Sequence, residues 1–592
     1  MNRKIIIYQV FTRLFGNTNT NNKPWGTIEE NGVGKFADFT EKALKEIKNL
    51  GISHIWYTGV PHHAVVRDYT AIGISNDDPN VVKGRAGSPY AVKDYYNVNP
   101  DLAVEPSRRL EEFKDLVDRT HDAGLKVIID IVPNHVARKY EGKTNPKGVS
   151  DFGFGDDISV AYAKDNNFYY IPETEFQIPD WKDGYVPLGG DMPILPNSKL
   201  VEIPAKWTGN GARSPQPDMN DWYETVRINY GVAPYGELDF DLLPNDFGNK
   251  DYQEHFKFWK KKVVPSSWRK FKEIALYWLE FGVDGFRYDM AEMVPVEFWS
   301  YMNSAIKMKN PTAFLMAEVY NPDLYRTYIH KGKMDYLYDK VDFYDGLKHI
   351  MKGYGWSDHL PVVQKGLQDI EHQMLHFLEN HDEQRIASPE FVGNAAIGKP
   401  AMVVSATMSS SPTMIYFGQE VGEPAAENAG FGSPSRTSIF DYIGVPHHQR
   451  WVNDKKFDGG QLKENEKALR DFYKRLLNFT INSEALMGAY REIHFYNKEL
   501  TEHYNHRVLS YVRWSKGQKL IIVVNFDVHD HFSFDLKLPV DLVNEWRLKE
   551  GSYTIKDVLY GSSGTLKIEN GEGHVFVELN PLESFIFELN YE

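Results

Sequence analysis

The chain has 592 residues, 42% hydrophobic and 25% charged, with a formal net charge of −15 and no cysteine. That balance is ordinary for a soluble globular protein; it argues against nucleic acid, whose phosphates need basic partners, and it leaves no disulfide framework and no cysteine-bound metal. No window carries the ~18 apolar residues of a membrane span, and the opening "MNRKIIIYQVFTRLF" meets Arg13 before it reaches the length of a secretory apolar segment, so the expected location is the cytoplasm, although an export signal already removed would leave the same sequence.

In chain order, "KIIIYQVF" (4–11) reads as a buried strand. The helix "FTEKALKEIKNLG" follows, with Phe39, Ala43, Ile47 and Leu50 at helical spacing and Gly51 as its stop. "ISHIWYT" is the next strand, "SRRLEEFKDLVDRTHDAG" a second amphipathic helix ending at glycine, and "LKVIIDIV" a third strand. The alternation resumes with "SWRKFKEIALYWLEFG", "VDGFRYD" and "TAFLMAE", then "MDYLYD", "QMLHFLEN" and "TMIYFG". Eight apolar strands, several of them separated by helices, predict a parallel sheet closed into a (β/α)8 barrel, the TIM architecture. Residues 136–245 break the rhythm. They are rich in Gly, Pro, Asp and Asn and show no helical period, so they read as a small domain inserted after the third strand. Beyond "EKALRDFYKRLLNF" the pattern turns to short strands, "RVLSYVRW", "KLIIVVNF", "HVFVEL" and "ESFIFEL", which predict a C-terminal antiparallel β-sandwich. The expected division is barrel 1–135 and 246–485, insert 136–245 and C-terminal domain 486–592.

Four acids fall at barrel strand ends, where the active site of this architecture lies: Asp130, Asp289, Glu318 and Asp382. One strand-end Asp alone serves equally as a helix cap; four converging on one mouth point to chemistry. Asp289 and Glu318 end the fourth and fifth strands. Neighbouring strands are ~4.8 Å apart, which puts their carboxyls at the roughly 5 Å separation of a retaining glycosidase pair. Arg287, two residues before Asp289, shares its strand face and would keep it ionised and aimed. Glu318 follows an apolar run with no adjacent cation in sequence, and partial burial with the neighbouring anion would raise its proton affinity, as a general acid requires.

The ordered set "DIVPNH" (130–135), "GFRYD" (285–289), "AEVY" (317–320) and "ENHD" (379–382) resembles the four signature stretches of the α-amylase family of glycoside hydrolases. "IYQVF" resembles the family's first strand, "SPYAVKDYYNVNP" (88–100) the stretch after its second, and "RINYG" (227–231), loosely, its fifth stretch. The resemblance covers residues 1 to about 485. It implies Asp289 as nucleophile, Glu318 as acid/base and Asp382 as the carboxylate that grips sugar hydroxyls. It implies Arg287 as the group that orients Asp289, His135 and His381 as ligands of the sugar whose bond is cut, and Tyr90 as the platform beneath it. Asp94 and Asp130 fall to structural roles. Asn134 matches a calcium ligand between barrel and insert, and an Asn that only stabilises its loop would look the same; no organic cofactor is implied.

Two departures stand out. Many members of the family carry Lys-His at the third and fourth positions after the nucleophile, where this chain has Glu292 and Met293, which leaves acceptor-side recognition open. "WYTGVP" also differs from the family's usual second-strand text. The expected function is a retaining α-glucan hydrolase acting on α-1,4-linked oligosaccharides or starch-like polymers. A transglycosylase or glucosyl isomerase on the same barrel is the alternative. A non-catalytic sugar-binding barrel would be expected to have lost Asp289 or Glu318, and both are present.

Overall fold

The computed structural model describes residues 3–589. Eight parallel strands close a barrel: β1 (Ile6–Phe11), β2 (His54–Thr58), β3 (Lys126–Ile131), β4 (Gly285–Tyr288), β5 (Phe314–Ala317), β6 (Tyr336–Tyr338), β7 (Met374–Phe377) and β8 (Thr413–Tyr416). Closure is made by β8 pairing with β1, Ile6 opposite Thr413 and Gln9 opposite Tyr416. Alternation along each strand sorts side chains between two apolar layers. Ile7, Trp56, Ile128, Met316, Tyr338, Leu375 and Met414 fill the barrel interior. Their neighbours Ile6, Ile55, Ile129, Leu315, Leu337 and Ile415 face outward into the shell under the helices.

The same parity aims the acids. In β4, Phe286 and Tyr288 face outward, so Arg287 and Asp289 face inward. In β5, Leu315 and Ala317 face outward and Met316 inward, so Glu318 is the next inward residue. In β3, Ile128 and Asp130 share the interior face. Register completes the placement: Arg287 lies opposite both Asp130 and Met316. The ladder runs past the strand ends through Asp289 N–H to the Ile131 carbonyl and Glu318 N–H to the Tyr288 carbonyl, both 3.0 Å.

Helices on the outside present one apolar stripe each. The helix Ser266–Phe281, which leads into β4, buries Trp268, Phe271, Ile274, Ala275 and Trp278. Gly282 ends it at φ 117°, a conformation that side-chain-bearing residues rarely adopt. Among the described residues no helix is long and apolar enough to cross a membrane.

Between residues 136 and 245 the chain forms no α-helix. Short antiparallel pairs occur instead, His135–Ala137 with Thr225–Arg227 and Tyr170–Ile171 with Ala205–Lys206. Side-chain bonds to backbone replace the missing ladders. Asp156 accepts from the N–H groups of Asn167 and Phe168 and from the Tyr170 hydroxyl, and Asn229 Nδ2 donates to the carbonyls of Ala163 and Asn166. A second excursion follows β2, where Pro61–His63 pairs with Val92–Val98.

The C-terminal region is one continuous antiparallel sheet of eight strands, running from Ala489–Glu492 to Ser584–Leu589 in sequence. The expected antiparallel domain is built from one ladder that folds over on itself: Val512, Ile521 and Val523 share a core with Leu536, Val575 and Val577 from its other end. It is fastened to the barrel by the buried Arg513, whose guanidinium donates to the carbonyls of Met408 (2.7 Å) and Leu486 (2.5 Å).

Candidate active site

Arg287 is fully buried and sits at the centre of the mouth. Its Nη1 donates to Asp289 Oδ1 at 2.7 Å and lies 3.5 Å from Asp130 Oδ1; its Nη2 donates to Glu318 Oε2 at 3.1 Å. Glu318 has no cation adjacent in sequence, yet register across β4 and β5 brings one guanidinium to both carboxylates. The backbone N–H of Met290 donates to the same Glu318 Oε2 at 2.9 Å. Met290 takes a left-handed backbone, φ 46° and ψ 40°, a conformation costing about 1–3 kcal/mol for a residue with a side chain. Oε2 of Glu318 and Oδ1 of Asp289 are thus occupied, and Oε1 and Oδ2 are the oxygens not held by Arg287 or the Met290 N–H.

Three acids, Asp130, Asp289 and Glu318, share this single guanidinium, and Asp382 stands beside His381. Burial and the charge of Glu318 push Asp289 well above the usual carboxylate range, against the pull of Arg287. Asp382 is pushed up to about 7, first by its enclosure and then by Glu318. Its side chain is 44% exposed, so it is reachable by solvent yet recessed among protein atoms. Asn380 builds the turn that presents it, its Oδ1 accepting from the N–H groups of Asp382 (2.8 Å) and Glu383 (2.9 Å).

Burial pushes Asp130 up to about 6, with Arg287 and the Trp56 indole N–H (2.7 Å) opposing. An unfolded Asp titrates near pH ~3.9. Between these values the folded state binds more protons than the unfolded one, so the contribution of this group to stability falls as pH rises through the window. Asp130→Asn should therefore gain on wild type by roughly 3 kcal/mol between about pH 4 and pH 7, measured by urea unfolding at both values. A difference that does not change with pH would contradict the assignment.

His381 joins the cluster. Gln9 Nε2, held by Thr58 Oγ1, donates to His381 Nδ1 at 2.9 Å, which places the ring proton on Nε2. That nitrogen lies 3.1 Å from Asp382 Oδ2 and 2.5 Å from the Tyr90 hydroxyl. Burial, with the charge of Arg287, lowers His381 and keeps it neutral. Tyr90 stacks on the histidine ring and packs 5.5 Å from the Arg287 guanidinium. His135 stands at the edge of the insert with its ring against Trp222, and it is pushed down to about 3 by burial, then by Arg227 and Lys83. Asn134 lies behind it: Nδ2 donates to the Gly209 carbonyl (2.9 Å) and to His135 Nδ1 (3.0 Å). Asp94 bonds the N–H groups of Tyr96 and Lys143 and so ties the β2 excursion to the insert.

Glu292 holds backbone. Its Oε2 takes the N–H groups of Tyr320 and Asn321, both at 3.0 Å, and clamps the loop after β4 to the loop after β5. Sequence reasoning missed Gln9, Trp56 and Tyr338 as site walls; the fully buried Gln9, polar inside an apolar strand, was the available signal. The left-handed Met290 carried none.

The α-amylase catalytic-domain family model matches residues 9–184 and 250–472. α-Amylase 3 of Dictyoglomus thermophilum is 21% identical over 556 residues, 90% of this chain and 87% of that protein. A cyclomaltodextrinase of Thermoanaerobacter pseudethanolicus is 23% identical over 538 residues, 88% of this chain and 70% of that one. Among solved structures, the maltogenic α-amylase AmyB from Thermotoga neapolitana superposes with a TM-score of 0.59 at 18% identity, covering 99% of both chains.

Proposed function

The chain belongs to the α-amylase family of glycoside hydrolases, and from that premise we propose that it hydrolyses α-1,4-linked glucans or maltooligosaccharides with retention, Asp289 and Glu318 being the reacting pair. The observation that carries this reading is the single guanidinium bonded to both carboxylates. Two oxygens bonded to one planar group lie close together, as the roughly 5 Å separation of a retaining pair requires; an inverting pair needs about 6.5–9.5 Å to admit water.

Retention needs one of the two carboxyls as an anion and the other as an acid. Asp289, held by the shorter Arg287 bond at 2.7 Å, reacts as the anion, and Glu318 is the proton donor. Asp289 Oδ2 attacks the anomeric carbon as the bond from that carbon to the glycosidic oxygen breaks. The proton on Glu318 Oε1 passes to the departing oxygen. A glycosyl ester on Asp289 remains, and Glu318 is now an anion. Water then gives a proton to Glu318 and its oxygen to the anomeric carbon, and the ester bond returns its electron pair to Asp289. Asp382, braced by the Nε2 of His381 beside it, holds ring hydroxyls of the same sugar, with Tyr90 beneath it and His135 on the insert side. Asp382 tightens its hold as positive charge develops on the ring.

Maltoheptaose with fresh enzyme tests this. Proton NMR should show the α-anomer first, and chromatography should show only shorter chains, one new reducing end per bond cut. The β-anomer appearing first would reject retention. Chains longer than seven sugars as the main products would identify the transglycosylase instead.

A further inference from the structure

Calcium at Asn134 was the expectation from the family, and the junction where Asn134 sits is built differently. The residue is 1% exposed. Its two amide hydrogens go to the Gly209 carbonyl and to His135 Nδ1, so only the amide oxygen remains for a metal. Calcium takes six to eight oxygens, carboxylates prominent among them. The charged group found here is instead a cation. Arg227 ends the strand Thr225–Arg227 and lies opposite His135 in its ladder. Together with Asn134, Glu292 and Met293 it lines one cleft of about 450 Å³. Its Nη2 donates to the Met293 carbonyl at 3.4 Å. Its Nη1 packs over Gly211, where a Cβ would come within 3.1 Å of it.

Among the described residues no carboxylate pairs with this guanidinium. Glu292 is committed to Tyr320 and Asn321. Arg213, the other cation lining the cleft, stacks 4.1 Å over the Trp207 ring. Burial first, and then the charge of Arg213, push Arg227 down. Among the described residues no group of three or more His, Asp or Glu is placed to hold a metal ion. A dication here would face a fixed positive charge with one amide and one carbonyl oxygen for support. The residues do not fit calcium.

We propose that Arg227 is the resident cation of this junction, its guanidinium tying the inserted segment to the Met293 carbonyl on the loop that follows Asp289. It is a positioning residue. Met293 is three residues from Met290, whose N–H holds Glu318, so the tie fixes the loop that aims the reacting pair. The inference does not depend on which glycan is cut, since melting and metal response can be read without substrate.

The test uses the full chain and the variants Arg227→Met, Arg227→Lys and Arg227→Asp, each melted in chelator and in calcium. Wild type should melt at the same temperature in both. Arg227→Met should melt lower, and kcat/KM should fall roughly 10- to 100-fold, the range for misplacement of about 1 Å away from the chemistry. Arg227→Lys should recover part of both losses. Arg227→Asp replaces the cation with a carboxylate in the cleft that Asn134 and Met293 also line, and its melting temperature should rise with calcium where that of Arg227→Met does not. A wild type whose melting falls in chelator and returns with calcium would overturn the proposal. So would an Arg227→Met variant that melts and turns over like wild type.

Discussion

Asp289→Asn should be inert toward every glycoside, whereas Glu318→Gln should lose natural substrates and keep those whose leaving group needs no proton. The difference follows from what each oxygen is asked to do. Asp289 Oδ2 must make the bond to carbon, and no amide can replace it. Glu318 supplies a proton to a sugar oxygen, a contribution of about 10² to 10⁴ in rate. A glycosyl fluoride departs without that proton, so the first step survives in Glu318→Gln. The second step then lacks its base and the glycosyl ester accumulates. Azide needs no base and should release it as a glycosyl azide. If azide rescued Asp289→Asn while Glu318→Gln stayed inert on the fluoride, the two roles would have to be exchanged.

Arg287→Met should cost stability as well as activity. The buried guanidinium touches Asp130, Asp289 and Glu318. Removing one partner of a buried charge cluster costs about 3–5 kcal/mol. The sign with pH is fixed by what remains: buried carboxyls whose folded-state proton affinity exceeds their unfolded one destabilise when ionised. The loss should therefore be largest at pH 7 and shrink as pH falls toward 5, while turnover stays low at both. Arg287→Lys restores one charge but cannot bond two carboxylates in one plane. It should regain stability and leave kcat depressed. Urea unfolding at the two pH values, with kcat measured alongside, checks both parts. A lysine variant with wild-type kcat would show that the shared geometry of the guanidinium is not needed.

How much of this was legible beforehand depended on the kind of signal. The eight barrel strands are buried on both faces, and such strands read as unbroken apolar runs; each was visible, down to Gly282 as the stop before β4. In the C-terminal sheet, strands such as Ser563–Glu569 alternate buried with exposed positions and carry Ser, Gly and Lys, so they resemble loops; four of the eight went unread. Side-chain parity put Arg287, Asp289 and Glu318 on the inner face. What parity could not show was register, and register is what lets Arg287 reach Glu318. Gln9 was read as part of a strand, yet a buried amide among Ile, Tyr and Val had to have a partner, and that partner is His381. At Asn134 the six-letter resemblance "DIVPNH" suggested a metal, while the group that decides the matter, Arg227, lies 93 positions later in a loosely matched stretch.

The central claim, that Asp289 carries the glycosyl group, is tested most directly by mass mapping of Glu318→Gln. The variant is treated with an α-maltosyl fluoride, quenched in acid, digested and sequenced by tandem mass spectrometry. The account predicts one added maltosyl mass, located on Asp289 and absent when Asp289→Asn is also introduced. A maltosyl group found on Asp382 or Asp130, or fluoride release at full rate with no labelled peptide, would contradict it.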